Sequence, residues 1–94
     1  MSEEIIPADV LAEELKHCPE WDIEGEAIVR SWEFENFADA MEFVNIVADV
    51  AEGAGHHPDF FIRYNKVKLT LSTHEIGGVT DADLVMAGRI DNVA

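Results

Sequence analysis

Hydrophobic side chains recur at three- and four-residue intervals in three segments of the chain, and this spacing predicts amphipathic helices. The first segment, residues 7–17, begins with a proline that suits the first turn of a helix, and Pro19 stops it. The second follows Asn36, a residue type that caps helices, and ends at Gly53 or Gly55. Two of the three predicted helices therefore have recognisable ends.

The third helix begins near the pair Thr80 and Asp83, which resembles a capping box with aspartate in place of glutamate or glutamine. Leu84 and Ala87 then continue the helical periodicity toward the C-terminus. Asp83 consequently has a possible structural role, because its side chain can accept a hydrogen bond at the start of this helix.

Two pairs of short segments alternate between hydrophobic and polar residues, or are rich in β-branched and aromatic residues, and predict two β-hairpins. The first hairpin comprises residues 21–24 and 27–34, divided at the turn signal Glu24-Gly25. The order α-β-β-α-β-β-α predicts one α+β domain over residues 1–94. We expect a four-stranded antiparallel sheet with the three helices packed on one face.

The second hairpin brings two histidines together. With Asn65-Lys66 as a two-residue turn, Tyr64 pairs with Val67, and counting outward places position 57 opposite His74. Directly opposed residues have Cβ atoms about 4.5–5.5 Å apart. The two imidazoles are therefore expected to share a neighbourhood on the polar face of the sheet.

The charge balance limits the classes of partner. With 20 acidic and 6 basic residues, the chain has a formal net charge of -14. This charge opposes direct binding to nucleic acid or to an anionic membrane, so a neutral ligand or a protein partner fits better. A surface this acidic resembles one adapted to high salt, and an ordinary soluble acidic protein is the alternative.

Other features of the composition favour a soluble cytoplasmic protein. The single cysteine, Cys18, cannot form an internal disulfide, which is typical of a reducing compartment. The start Met1-Ser2-Glu3-Glu4 is acidic where a signal peptide is basic, and no apolar run approaches the roughly 20 residues of a membrane span. In a chain this short, we expect a shallow active site or one shared between subunits.

Three of the four histidines, His56, His57 and His74, are candidates for proton transfer at neutral pH. Glu52 lies in the last turn of helix two, where the helix dipole disfavours an acid by about 0.3–1 kcal/mol, and this conflict is compatible with a site role. Solvated loop histidines, a solvated Glu52 and a purely capping Asp83 are the alternatives. Neighbouring histidines rarely point at one ion and no cysteine is near, so no metal is predicted.

The chain carries a longer pattern that includes all of these residues. It reads Glu52, three residues, His56-His57-Pro58, five residues, Tyr64, nine residues, His74, eight residues and Asp83. This pattern resembles the signature of the pterin-4a-carbinolamine dehydratase family, whose animal members are also known as dimerisation cofactors of a homeodomain transcription factor. The resemblance covers nearly the whole chain and includes Trp21 and Gly25 of the first hairpin.

The resemblance implies a hydro-lyase that dehydrates 4a-hydroxytetrahydrobiopterin to quinonoid dihydropterin, with no cofactor. It implies His56 and His74 as acid/base residues, His57 as an assisting ring-binding residue, and Glu52 and Asp83 as supporting residues. The implied pterin contacts are Gly55, His56, His57, Ser72, Thr73, His74 and Glu75. It also implies a homodimer or homotetramer.

The chain departs from animal members at two positions, with Gly55 in place of an acid and Ala82 in place of an arginine. A different class of function is a non-catalytic module on the same fold that binds other proteins. The intact histidines favour the enzyme, because protein binding alone gives no reason for three imidazoles in one pocket.

Overall fold

The computed structural model describes residues 4–94. Most of the acidic segment Met1-Ser2-Glu3-Glu4, which argues against a signal peptide, therefore lies outside the described residues. The elements are α1 (Ala8–Glu14), which a 3-10 turn (Leu15–His17) extends, β1 (Asp22–Glu24), β2 (Ala27–Glu33), α2 (Phe37–Ala54), β3 (Asp59–Arg63), β4 (Lys66–Leu71) and α3 (Asp81–Val93). The predicted α+β class and element order are confirmed. No helix within residues 4–94 is long and apolar enough to cross a membrane.

One antiparallel sheet contains all four strands in the order β1-β2-β4-β3. Successive strand residues point to opposite faces, and on β4 the residues Val67, Leu69 and Leu71 are buried while those between them are more exposed. One face of the sheet therefore packs against the helices and the other is open. β1 and β3 are the edge strands.

The core lies between the helices and the covered face of the sheet. On α2, buried residues recur at three- and four-residue intervals, namely Ala40, Phe43, Val47 and Ala51. Met86, Ala87 and Ile90 of α3 join them in a single apolar cluster with the inward residues of the sheet. Truncating a residue as buried as Leu69 to alanine would cost about 2–5 kcal/mol.

A polar network connects the first hairpin to the end of α3. Asp91 Oδ1 accepts hydrogen bonds from Trp21 Nε1 at 2.8 Å and from Arg30 Nη1 at 2.7 Å. The Arg30 guanidinium also lies 4.6 Å from the centre of the Trp32 ring, a cation–π distance. These contacts hold β2 and α3 in one orientation.

The predicted ends of α2 are confirmed. Asn36 Oδ1 accepts a hydrogen bond from the Asp39 N–H at 2.8 Å, as a capping residue does. Of the two glycines, Gly55 ends the helix, in the left-handed region with φ of 68°, and Gly53 lies within it. A residue without a Cβ adopts this conformation at little cost. The chain then leaves α2 in a defined direction.

The turn of the second hairpin comes one residue earlier than predicted, at Tyr64 and Asn65. Tyr64 adopts a positive φ of 52°, which is uncommon for a bulky residue. Asn65 Nδ2 donates to the Phe34 carbonyl at 2.7 Å, and the Phe34 N–H donates to the Asn65 carbonyl at 2.8 Å. This reciprocal contact with the end of β2 stabilises the turn.

The predicted strand register is consequently wrong by two residues, and Ile62 pairs with Val67 instead of Leu69. A shift of two keeps every side chain on its predicted face, because side-chain direction alternates with a period of two. The direct opposition of His57 and His74 is lost, since the β3 ladder begins only at Asp59.

Candidate active site

His56 is positioned by the end of α2 and by the start of α3. Its N–H lies 3.3 Å from the Ala51 carbonyl, within the helix ending that Gly55 makes. Its ring Nε2 lies 2.5 Å from Asp83 Oδ1. The His56 side chain is 19% exposed and that of Asp83 is fully buried. The contact therefore joins a partly exposed imidazole to a carboxyl in the packed interior.

Asp83 accepts hydrogen bonds at both of its oxygens. Oδ2 accepts from the Thr80 N–H at 2.9 Å and from the Thr73 hydroxyl at 3.0 Å. The two threonine hydroxyls lie 2.8 Å apart, and because the Thr73 hydroxyl donates to Asp83, the Thr80 hydroxyl is the donor between them. The predicted capping box is confirmed, and the same carboxyl also holds His56. The structural and functional interpretations of Asp83 are thus compatible.

His57 contacts Glu52, the carboxylate near the end of α2. Its Nε2 lies 2.5 Å from Glu52 Oε2, and the two side chains are 57% and 77% exposed. Glu52 therefore has a histidine partner, even though most of its surface is in contact with solvent. Unlike Asp83, it makes no second side-chain hydrogen bond within residues 4–94.

His74 lies in the turn that follows β4. The Thr73 N–H donates to the Gly78 carbonyl at 2.8 Å and the Gly77 N–H donates to the Thr73 carbonyl at 2.8 Å, which closes a compact loop around His74. Its imidazole is 68% exposed, and Nε2 lies 3.6 Å from Asp59 Oδ1. That separation is too long for a hydrogen bond and short enough for an ion pair.

The three imidazoles line one depression of about 150 Å³, together with Gly55, Ser72 and Glu75. Six of the seven predicted pterin contacts therefore come together. The seventh, Thr73, is buried, with its side chain on Asp83 instead of in the depression. Small-molecule sites are commonly about 300–1,000 Å³, so a ligand here would stay partly exposed unless a second surface covered it.

A larger concavity of about 520 Å³ lies on the open face of the sheet, where Phe61, Arg63 and Lys68 contribute to its lining. It contains no histidine, and its carboxylate Glu33 lies at the opposite end of β2 from the histidine depression. We take the histidine depression as the candidate site on its chemistry instead of its size, because an imidazole can both donate and accept a proton.

Sequence reasoning missed Asp59 as a neighbour of His74. It stands two residues after His57, so the alternation that places His57 on the polar face places Asp59 there too. All three histidines turn Nε2 toward a carboxylate. Within residues 4–94, no three or more His, Cys, Asp or Glu side chains are arranged to hold a metal ion.

Comparison with known proteins identifies the family. The protein-family model described as Pterin 4 alpha carbinolamine dehydratase matches residues 5–93. The chain belongs to this family. A Thermomicrobium roseum member is 49% identical over 84 residues, which cover 89% of this chain and 90% of the relative. A Nocardia farcinica member is 42% identical over 94 residues, which cover 100% of this chain and 99% of the relative. Both carry the provisional name pterin-4-alpha-carbinolamine dehydratase.

Two solved structures share the fold of the family. A transcriptional coactivator/pterin dehydratase from Brucella melitensis superposes with a TM-score of 0.89 at 36% identity, covering 97% of this chain and 99% of that one. A pterin dehydratase-like protein described as a RuBisCO assembly factor in the alpha-carboxysome superposes with a TM-score of 0.64 at 21% identity, covering 79% and 86%. The second likeness is one of fold alone.

Proposed function

We propose that the chain dehydrates a 4a-hydroxytetrahydropterin such as 4a-hydroxytetrahydrobiopterin to the quinonoid dihydropterin, in the recycling of the cofactor of aromatic amino acid hydroxylases. The observation that carries this proposal is the convergence of three imidazoles, each beside a carboxylate, on one depression in a member of the pterin-4a-carbinolamine dehydratase family. The reaction needs an acid and a base that work at neutral pH, and imidazole supplies both.

The chemistry divides between two of the histidines. The C4a–O bond breaks with its electron pair going to oxygen, so a general acid protonates the departing hydroxyl and water leaves. A base removes the N5 proton as the C4a=N5 bond forms. We assign these two roles jointly to His56 and His74, while His57 binds the ring and assists. The protons balance, since one is given to oxygen and one is taken from nitrogen.

The carboxylates orient this machinery. Asp83 and Glu52 accept from the Nε2–H of their histidines, which fixes the ring tautomer, so the proton given or taken in the reaction passes through Nδ1. Gly55, Ser72 and Glu75 supply the rest of the depression. Thr73 acts through Asp83, because its hydroxyl donates to that carboxyl. No organic cofactor or metal is required for these proton transfers.

A homodimer or homotetramer is the assembly that we infer for the chain. Edge strand β3 is exposed along all five residues, with Phe60, Phe61 and Ile62 at 36%, 62% and 36% exposure. An exposed apolar edge strand is a template for pairing with another strand. At a charge of -14 per copy, salt is expected to favour association by screening the repulsion. Sedimentation at low and high salt tests this, and a monomer under both conditions would contradict it.

The thiol of Cys18 fits the reducing cytoplasm that we propose as the location. It is half-buried and forms no disulfide. Burial raises its pKa, and the Asp91 carboxylate raises it further, so the reactive thiolate is disfavoured at neutral pH.

A non-catalytic assembly role is the second candidate, and the fold likeness to a RuBisCO assembly factor favours it. Protein binding would not depend on the imidazoles inside the depression. Substitution of a site histidine therefore separates the two candidates.

The test follows the decay of a synthetic 4a-hydroxytetrahydropterin by stopped-flow ultraviolet absorbance. The wild type is expected to accelerate decay well above buffer, and His74→Ala to lose about 10²–10⁴-fold of the catalysed rate. His17→Ala is the matched control, since His17 is the remaining histidine and lies outside the site, in the 3-10 turn after α1. A wild type that leaves the buffer rate unchanged at both low and high salt would overturn the enzyme and favour the assembly module.

A further inference from the structure

We propose that Asp59 is a positioning residue that holds the His74 imidazole for proton transfer. This inference rests on the dehydratase function proposed above. Each of the other two site histidines has a carboxylate on Nε2, from Asp83 or Glu52, and these two acids belong to the pattern found in the sequence. Asp59 does not belong to that pattern, and it supplies the third carboxylate, at 3.6 Å from His74 Nε2.

The backbone fixes the distance between the two residues. Asp59 is the first residue of β3 and pairs with Thr70 of β4, so the strand ladder holds its Cα in place. His74 follows β4 by three residues and lies in the loop closed by hydrogen bonds between Thr73, Gly77 and Gly78. Both side chains therefore project from one hairpin, and a small rotation of either is enough to reach hydrogen-bond distance.

Solvent sets the strength of this contact. The two side chains are 68% and 65% exposed, and an exposed pair contributes little in water. A pterin that fills the depression would exclude water from His74, and the attraction between imidazole and carboxylate grows as the local dielectric falls. The contact thus acts mainly in the complex with the ligand.

Because the contact acts mainly in the ligand complex, its loss is expected to change kcat more than KM. In the complex with the ligand, Asp59 accepts from His74 Nε2–H and so orients the ring, and loss of the carboxylate slows the chemical step and leaves ligand binding nearly unchanged. Since a positioned acid or base contributes about 10²–10⁴-fold, loss of its orientation is expected to lower kcat by about tenfold. KM is expected to change by less than about twofold, because the carboxylate acts through His74 instead of through the substrate.

The experiment compares Asp59→Asn, Asp59→Glu and their combinations with His74→Ala. Asp59→Asn is expected to lower kcat, and Asp59→Glu, which keeps the carboxylate, to recover most of it. In the His74→Ala background Asp59→Asn is expected to have no further effect, because a residue that acts through His74 has nothing left to orient. An equal fall in kcat in both backgrounds, or a rise in KM with kcat unchanged, would overturn the inference.

Asp22→Asn is the matched control. Asp22 is the first residue of the other edge strand and stands in the same row of the sheet, through Val29 and Thr70, without a histidine partner. It is expected to keep wild-type kcat. Sedimentation of each variant checks that the assembly is unchanged, so that a change in kcat reports on the site.

A spectroscopic measurement separates this inference from the proposed function. The ring ¹⁵N shifts of His74, recorded with and without a bound pterin, report which nitrogen carries the proton, and Asp59→Asn is expected to change them, most strongly in the bound state, while Asp22→Asn does not. With wild-type activity present, unchanged shifts and unchanged kcat would overturn the role of Asp59 alone. With wild-type activity absent, a change in the shifts would keep the contact and overturn the enzyme.

Discussion

The two sides of the site are built differently. On the α3 side, the Asp83 carboxyl is fully buried, accepts from His56, Thr73 and Thr80, and caps a helix. On the side toward solvent, His57 and His74 are 57% and 68% exposed, and each meets a single carboxylate. One imidazole–carboxylate pair therefore includes a buried, helix-capping carboxyl, whereas the other two pairs lie at the surface.

The difference follows from the cost of burying charge. A buried carboxylate is tolerated only when hydrogen bonds replace its water, so Asp83 needs every donor around it. An exposed carboxylate keeps its water and can serve one histidine with little effect on folding. The two sides therefore separate in experiments that measure both the free energy of unfolding and the rate of catalysis.

Among substitutions in the site, the largest effect on stability is expected from Asp83→Ala. The change removes the acceptor for Thr80 N–H and the Thr73 hydroxyl and leaves both donors buried, which costs about 3 kcal/mol of unfolding free energy. Urea denaturation measures it, with activity assayed in parallel. Asp81→Ala is the control in the same helical turn, since Asp81 is exposed and its loss is expected to cost at most about 1 kcal/mol.

Asp83→Asn sharpens the comparison further. The amide oxygen can still cap α3, while its NH₂ group replaces the oxygen that faces His56. Asp83→Asn is expected to regain most of the unfolding free energy that Asp83→Ala loses, but not the activity. If activity returns together with stability, the carboxylate has no role beyond the cap.

A smaller loss is expected from Thr73→Val, which keeps the shape of the side chain and removes its hydroxyl. Thr73 is buried and donates to Asp83, so the loss is expected to be about 1–2 kcal/mol. Its neighbour Ser72 is only half-buried and donates to the Glu26 carbonyl at 2.9 Å. Ser72→Ala is expected to cost less than about 0.5 kcal/mol in the same urea experiment. Equal losses at the two positions would contradict the contrast between the interior and the surface.

Local chemistry explains what could be predicted from the sequence. The cap at Asn36, the end of α2 at Gly55 and the box at Thr80 and Asp83 depend on residues within a few positions of one another, and all three are confirmed. The hairpin turn depends also on the contact of Asn65 with Phe34, which lies 31 residues away. Pattern reasoning along one hairpin does not include that contact, and the predicted register was wrong.

The same limit applies to the candidate site. The spacing brought His57 and His74 near each other, and the depression contains both, although by loop geometry instead of direct strand pairing. The contact of His56 with Asp83 joins residues 27 positions apart and needs the packing of α2 and α3. Asp59 was missed because its role depends on where the loop after β4 directs His74.

The smallest effect on stability is expected from Glu52→Gln on the exposed side. The side chain is 77% exposed and lies in the last turn of α2, where a negative charge is disfavoured by the helix dipole. Removal of the charge is expected to change the unfolding free energy by less than about 0.5 kcal/mol. The expected direction is a gain in stability, because the negative charge opposes the helix dipole. Turnover is nevertheless expected to fall, because His57 loses its partner. Asp49→Asn, also on the exposed side of α2, is the control for charge alone. A loss of stability comparable to that of Asp83→Ala would show that the two sides of the site are built alike.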